Sequence, residues 1–346
     1  MTGELRTSVE DLIGDLPVTA EDDARLLYDR LADGGWTTVS VPEHLGGSGG
    51  SIADAAEVVA AVAAAGTGLP VGETAIIAGW LLRTAGLALP IASRCVVPVT
   101  GRVEGALDGN GATGLLTMRA ERVAWASWAS HLIVPVPRDP DRTWVVAVDA
   151  MRAAIRRGSN LAGEPRDDVE TAAAPVLAAV TVGIPHDDLL AGLAAVGALT
   201  RSVQIAHALG RVASMTARFC AQRVQFGRPL SAFQAVQQQL AELAAEAAAA
   251  QAAVTLALAG TDGPRRPVLA AIAKTRTGQA AGVGARIAHQ LHGAIGVTRE
   301  HPLQHYTRAL WSWREEFGSE SHWSRYLAAQ MAQAGMPLWA WVTADD

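Results

Sequence analysis

Cysteine is nearly absent from this 346-residue chain: Cys95 and Cys220 are its only two, too few for a disulfide framework or a thiolate metal cage. Positive charge is also in short supply. A formal net charge of −6 leaves no electrostatic footprint for nucleic acid. No uninterrupted apolar run reaches the roughly 20 residues that a spanning helix needs. The opening residues, with Glu4 and Glu10, lack the basic and apolar regions of a secretory leader. The expectation is a cytoplasmic protein without membrane insertion. What the chain does have is 50% hydrophobic residues against 18% charged, over a length that allows two or three packed units.

The sequence divides into three regions. Residues 1–92 read as an N-terminal helical domain. Thr19 with Asp22 is placed to cap a helix carrying Leu26, Leu27 and Leu31, Gly34-Gly35 ends it, and Ser51 with Asp54 starts the next. The intervening Val41–Gly50 stretch is glycine-rich but lacks the Lys and Ser/Thr ending of a phosphate loop, so it reads as a turn. Residues 93–184 read as a middle β domain, with strands over 96–100, 115–118, 131–136, 143–148 and 176–182 and turns at Gly109-Asn110 and Asp139-Pro140-Asp141. Residues 185–346 read as a C-terminal antiparallel helix bundle. Its helices span 187–222, 231–259, 266–291 and 303 to about 317, with a closing segment over 321–334. Ser231 and Gln234 form a capping-box pattern before an inward stripe of Phe233, Val236, Leu240 and Leu243.

Two stretches of the third region carry chemistry. Arg223 ends a long helix just before Gly227 and Pro229 turn the chain, which puts a guanidinium beside a tight loop where it could bind a diphosphate bidentately. The competing reading is a helix-capping arginine with Phe226 plugging the bundle. Gly293 and Gly296 follow another helix, and glycine there lets a backbone approach a ligand closely; a helix C-cap explains one glycine but not both. His292 reads as a hydrogen-bonded structural group. His301 and His305 have helical spacing, but Pro302 argues against a metal pair, so no metal is expected.

The order Arg223-Val224-Gln225-Phe226-Gly227-Arg228-Pro229-Leu230, then Phe233–Gln237 and Leu240-Ala241-Glu242, followed by Gln290–Gly296, resembles the flavin-binding signatures of the acyl-CoA dehydrogenase family. Gly35-Trp36 and Val41-Pro42-Glu43 resemble its amino-terminal domain. The resemblance implies a mostly α fold with a small β domain, FAD as cofactor, α,β-desaturation of an acyl-CoA thioester and an electron-acceptor flavoprotein. It implies that Arg223, Gln225 and Phe226 contact the flavin diphosphate and adenosine. It further implies that Gln290, Leu291 and Gly293 reach across a subunit interface to the adenine end of a neighbour's FAD.

Departures from the family pattern matter as much. The β region lacks the Thr-Glu-Pro, Gly-Ser-Asp and Trp-x-Thr phrases that touch the flavin ring; Trp125 and Trp128 stand near the right place but read as core. Removal of the α-proton needs a carboxylate. In most of the family it stands nine residues after the helix arginine, which from Arg308 is Phe317, and in a minority 26 residues before the motif arginine, which from Arg223 is Gly197. Glu315 and Glu316 are the candidate substitutes, yet one residue along a helix turns a side chain by about 100°. Their alternative is a solvated or salt-bridged helix end with Arg314.

Taken together the chain resembles the smaller subunit of bacterial heteromeric (α2β2) acyl-CoA dehydrogenases known from steroid side-chain breakdown. In those, the FAD sites form between unlike chains and one chain supplies the base. Two other readings stay open: a self-sufficient homo-oligomer using Glu315 or Glu316, and a flavin-free structural subunit. The acyl group is not legible in the sequence.

Overall fold

The computed structural model describes residues 2–14, 21–89, 95–100, 103–108, 114–261, 263 and 265–342. The Thr19 cap and the Gly109-Asn110 turn lie outside these. By internal contacts the chain forms two compact units, one of Met1–Leu12, Val18–Val59 and Gly68–Gly197, the other of Ile13–Pro17, Ala60–Thr67 and Ala198–Asp346.

The helices of the amino-terminal part are α1 (Thr2–Ile13), α2 (Glu21–Asp33), α3 (Ile52–Ala65) and α4 (Gly79–Ala85), the last preceded by a π-helical stretch at Gly72–Ala78. On α2 the buried pair is Leu27 and Leu31, four residues apart, whereas Leu26, rotated away from them, is exposed. A reciprocal capping box opens α3: Ser51 N donates to Asp54 Oδ2 at 2.9 Å and Asp54 N to Ser51 Oγ at 3.1 Å. The glycine-rich loop spends its amides internally. Gly47 N donates to Pro42 O, Gly49 N to Val41 O and Gly50 N to Val39 O, so these groups are not presented to a phosphate.

Strands β1 (Val96–Pro98), β2 (Glu104–Asp108), β3 (Leu115–Ala124), β4 (His131–Asp139), β5 (Arg142–Asp149), β6 (Ala154–Arg156) and β7 (Arg166–Val182) form one mixed sheet in the order β1-β4-β5-β7-β3-β2, with β6 also on β7. Only the β1–β4 pairing is parallel among these. The sequence reading missed β2 and β6 and the first half of β7. Those segments carry charged residues such as Glu104, Asp108, Arg156, Asp168 and Glu170, which mask the strand pattern, and in the first half of β7 even Arg166 and Asp167 are buried, beside Val169, Thr171 and Ala174. Trp125 is buried edge-to-face on Trp128, with ring centroids 5.0 Å apart, as the core reading expects; Trp128 is only half-buried, against Tyr28 and the Arg25 guanidinium.

The second unit is built on α5 (His186–Gln222), which begins in the first unit, a two-stranded hairpin β8 (Val224–Gln225) and β9 (Arg228–Pro229), α6 (Gln234–Ala259), α7 (Arg266–His292), α8 (Leu303–Glu315), α9 (Glu320–Ala334) and α10 (Leu338–Val342). These bounds match the sequence expectation closely, except that α8 stops before Phe317 and the Ser231–Gln234 box does not form. Leu230–Ala232 is a 3₁₀ turn, Phe233 is the N-cap, and Gln237 Nε2 binds Ser231 O instead. Of the expected stripe on α6 only Leu243 is fully buried.

Helix α7 is the central helix, packed on α6, α8 and α9. Its buried face is mostly alanine and glycine, and a side chain at Gly284 would collide with Leu209 of α5 and Leu243 of α6. Helices α5 and α6 are each long and apolar enough to cross a membrane by length and hydropathy, but 78% of that α5 window is buried inside the protein, as in a core helix. The α6 window is 33% buried, leaving an alanine-rich side uncovered.

Candidate functional site

The two motifs meet. Phe219, one turn before Arg223, stacks on His292, the last residue of α7, with ring centroids 4.3 Å apart and planes 25° from parallel. His301 closes against both rings, at 4.8 Å from His292 and 6.2 Å from Phe219. The carboxyl ends of α5 and α7 are thereby joined, and the segments that follow them, 223–230 and 293–297, share one end of the bundle.

On that end the hairpin turns through Phe226 and Gly227, both at positive φ (52° and 78°), the geometry that lets a two-residue loop follow the strand twist. The Phe226 ring is 90% exposed, so it does not plug the bundle. Arg223 is exposed, and among the described residues no hydrogen bond or ion pair engages its side chain; only its backbone is tied, N to Phe219 O and O to Leu230 N. Arg228 lies over the Phe233 ring at 4.0 Å. Gln225 and Gln290 are exposed, while Leu291 is buried. Gly293 has φ 63° and ψ −147°, a conformation closed to side chains, and a Cβ there would meet nothing within 4 Å. Backbone geometry alone therefore demands this glycine, while the space around it stays open.

The histidines are structural in placement. His292 Nδ1 faces the Ala288 carbonyl at 2.8 Å, and since a carbonyl only accepts, Nδ1 carries the proton. Its Nε2 is buried without a partner among the described residues, as is His289 Nδ1, whose other nitrogen meets Thr307 Oγ1 at 2.9 Å. Burial lowers the pKa of His292, helped by His301 and His289 and opposed by the Ala288 bond. No group of three or more potential metal ligands occurs among the described residues. Both thiols are buried; burial pushes Cys95 up to about 12 and raises Cys220.

Phe317 lies beside a buried cation. Arg201, one turn beyond Gly197 on α5, is 1% exposed and donates from Nε to Glu316 Oε2 at 2.7 Å and from Nη1 to Gln204 Oε1 at 2.7 Å. Its guanidinium lies 5.4 Å from the Phe317 ring. Glu316 is thus the counter-charge of a buried cation. Glu315 points outward, with a side chain 64% exposed and a loose 3.8 Å approach to Arg314. The sequence reading missed Arg201, because its partner lies 115 residues away and no local pattern marks it.

The comparisons agree with this architecture. Residues 192–331 match the acyl-CoA dehydrogenase C-terminal domain. Acyl-CoA dehydrogenase IpdE2 of Mycolicibacterium smegmatis is 27% identical over 307 residues, covering 89% of this chain and 87% of that one. Among solved structures, the ChsE4-ChsE5 complex from Mycobacterium tuberculosis aligns with a TM-score of 0.82 at 21% identity, over 97% of this chain and 98% of that one. A variant of the Tcur3481-Tcur3483 steroid ACAD aligns at 0.83 and 21%, over 96% and 98%. Residues 192–331 thus carry an acyl-CoA dehydrogenase C-terminal domain, and the chain as a whole is similar in sequence and fold to acyl-CoA dehydrogenases.

Proposed function

We propose that this chain is one component of an FAD-dependent acyl-CoA dehydrogenase that desaturates an acyl-CoA thioester between its α and β carbons, in company with a second, related chain that supplies the base. The observation that carries the reading is the Arg201–Glu316 ion pair beside Phe317. The positions where a base would stand hold Phe317 and Gly197, and the neighbouring carboxylate is committed to a buried cation. Withdrawing Glu316 to accept a substrate proton would strand Arg201 in the interior, a loss on the order of 3–5 kcal/mol.

The joined motif end fits the adenosine-diphosphate half of FAD. Arg223 is an exposed, unengaged guanidinium that would bond two phosphate oxygens in parallel. Phe226 presents a ring face, and Gln225 and Gln290 present amides from the two segments. Leu291 and Gly293 would line the approach, the glycine with no side chain to obstruct it. When bound, the flavin would supply the acceptor for the β-hydride and would be reoxidised by giving up two electrons to an electron-acceptor flavoprotein. The α-proton leaves to a carboxylate of the partner chain. The missing flavin-ring phrases of the β domain fit a chain that contributes chiefly to the diphosphate end. The structures of the ChsE4-ChsE5 complex and the Tcur3481-Tcur3483 steroid ACAD each pair two components, which supports a heteromeric α2β2 assembly and a steroid-derived acyl group as substrate class.

Co-expression with an acyl-CoA dehydrogenase-like chain encoded beside it tests this. The expected result is a complex of two chain types by native mass, yellow with flavin, that reduces a dye with steroid side-chain acyl-CoA, while the isolated chain does not. Turnover by the isolated chain would replace this reading with a self-sufficient homo-oligomer. A colourless complex would replace it with a structural subunit.

A further inference from the structure

Lys274, in the middle of the bundle on α7, is fully buried, and its ammonium donates to two backbone carbonyls: Arg314 O at 2.5 Å and Gly318 O at 2.8 Å. Those carbonyls bracket the turn that contains Glu315, Glu316 and Phe317. The turn is strained at Phe317, whose φ is 54°, since a non-glycine residue persists there only where its surroundings over-determine it, while Gly318 takes φ 95° without strain. The surroundings do so. Trp323 Nε1 donates to Phe317 O at 2.9 Å, and a Cβ on Gly318 would fall 2.7 Å from the same nitrogen. Arg314 Nε binds Glu320 Oε1 at 2.5 Å, over the α7 groove left by Gly278 and Gly282, one and two turns beyond Lys274.

A lysine here is costly, so a packing role alone is a poor account of it. Burial pushes its pKa down to about 8, with Arg201 acting the same way and Glu320, Glu315 and Glu316 opposing. A leucine or methionine would fill the volume without that penalty. What an apolar residue cannot supply is two donors at one point, and even the neutral amine keeps two N–H groups, so the tie does not depend on charge.

We propose that Lys274 is a positioning residue: by tying Arg314 O to Gly318 O it holds the 314–318 turn closed and presents Phe317 as a fixed wall where the family keeps its base. The proposal rests on the reading that this turn faces the acyl thioester in the assembled enzyme.

Lys274→Met removes both donors at similar volume, and Lys274→Gln keeps an NH2 group on a side chain one atom shorter. The first readout is local and uses the full chain by itself: the indole ¹⁵N–H resonance of Trp323, assigned with Trp323→Phe, is expected to move or broaden in Lys274→Met and to move less in Lys274→Gln. The second uses the flavin-loaded complex, where KM for acyl-CoA is expected to rise about fivefold or more with kcat within about threefold, the mark of a lost binding wall. An unmoved Trp323 resonance in either soluble variant overturns the tie. A moved resonance with unchanged KM overturns the positioning role and the placement of the turn against substrate. Should Lys274→Met fail to fold, Lys274→Gln carries both measurements. A parent complex without flavin or turnover would instead sink the functional reading, and the Trp323 measurement would still decide the tie.

Discussion

Two polar clusters on this bundle differ in how far the chain itself satisfies them. At the 314–320 turn the charged groups meet partners within the chain: Arg201 with Glu316, Arg314 with Glu320, Lys274 with two carbonyls. At the carboxyl ends of α5 and α7 the opposite holds. Arg223 stands exposed and unengaged among the described residues, Phe226 is almost wholly in solvent, and Val224, Ile295 and Val297 are exposed beside them. A protein interior cannot leave charge unpaired, so the first cluster is closed and structural. An exposed cation gains little from the fold and stays available to an anionic ligand. The contrast is what the proposed function reads as a position without a base beside one that keeps its cofactor contacts.

The contrast is most directly broken at Glu316. Glu316→Leu is expected to cost about 3–5 kcal/mol of stability by leaving Arg201 buried without its counter-charge, and the double change Arg201→Met with Glu316→Leu to recover most of it. Denaturant unfolding of the four proteins measures the coupling. If Glu316 were the base, the double variant would be stable yet lose turnover by 10²-fold or more per folded complex, whereas a counter-charge leaves turnover within about tenfold.

At the other cluster, Arg223→Ala is expected to lower FAD affinity by about 1.5–3 kcal/mol while leaving the unfolding midpoint of the flavin-free chain unchanged. Flavin titration against apo-complex separates the two effects. Equal occupancy in variant and parent would remove the arginine from the cofactor site.

A smaller and graded effect comes from acid. Burial lowers the pKa of His289, His292, His301 and His305, so each binds its proton more weakly folded than unfolded. The unfolded state therefore takes up more protons below the usual histidine value of about 6.5, and stability is lost as pH falls through that value toward the lowered folded values. Arg308 adds to the shift of His305. Unfolding midpoints between pH 7.5 and 5.5 should fall in the parent and fall less in His292→Phe, which keeps the stack on Phe219. Equal slopes would show that His292 does not carry the effect.

The smallest effect is expected at Glu315. Its carboxylate is mostly exposed and 3.8 Å from Arg314, so Glu315→Gln should change stability by less than about 0.5 kcal/mol and turnover by less than about tenfold. A hundredfold loss with flavin and assembly intact would make Glu315 the base and overturn the two-component reading.

Helix by helix, the bundle was legible in the amino-acid sequence because its signals are local: long alanine and leucine runs, few breakers, and glycine or proline at the ends of α5, α6 and α7. The strands were legible where they form short runs of β-favouring apolar residues, as in β4 and β5, and not where Glu104, Arg156 or Glu170 broke the run. The Ser231 box failed because a 3₁₀ turn, stitched by Phe233 N to Leu230 O, occupied the place of the first helical residues.

By itself the sequence determined the order of helices and strands, the two phrases after α5 and α7, and the absence of a carboxylate at positions 197 and 317. All of these are properties of neighbouring residues. Only the tertiary structure decided that the two phrases lie on one surface, through a Phe219–His292 stack between helices, and that Glu316 belongs to Arg201, 115 residues away. The physical reason is that a buried charge must find its partner wherever the packed chain brings one, and sequence distance places no limit on where that is.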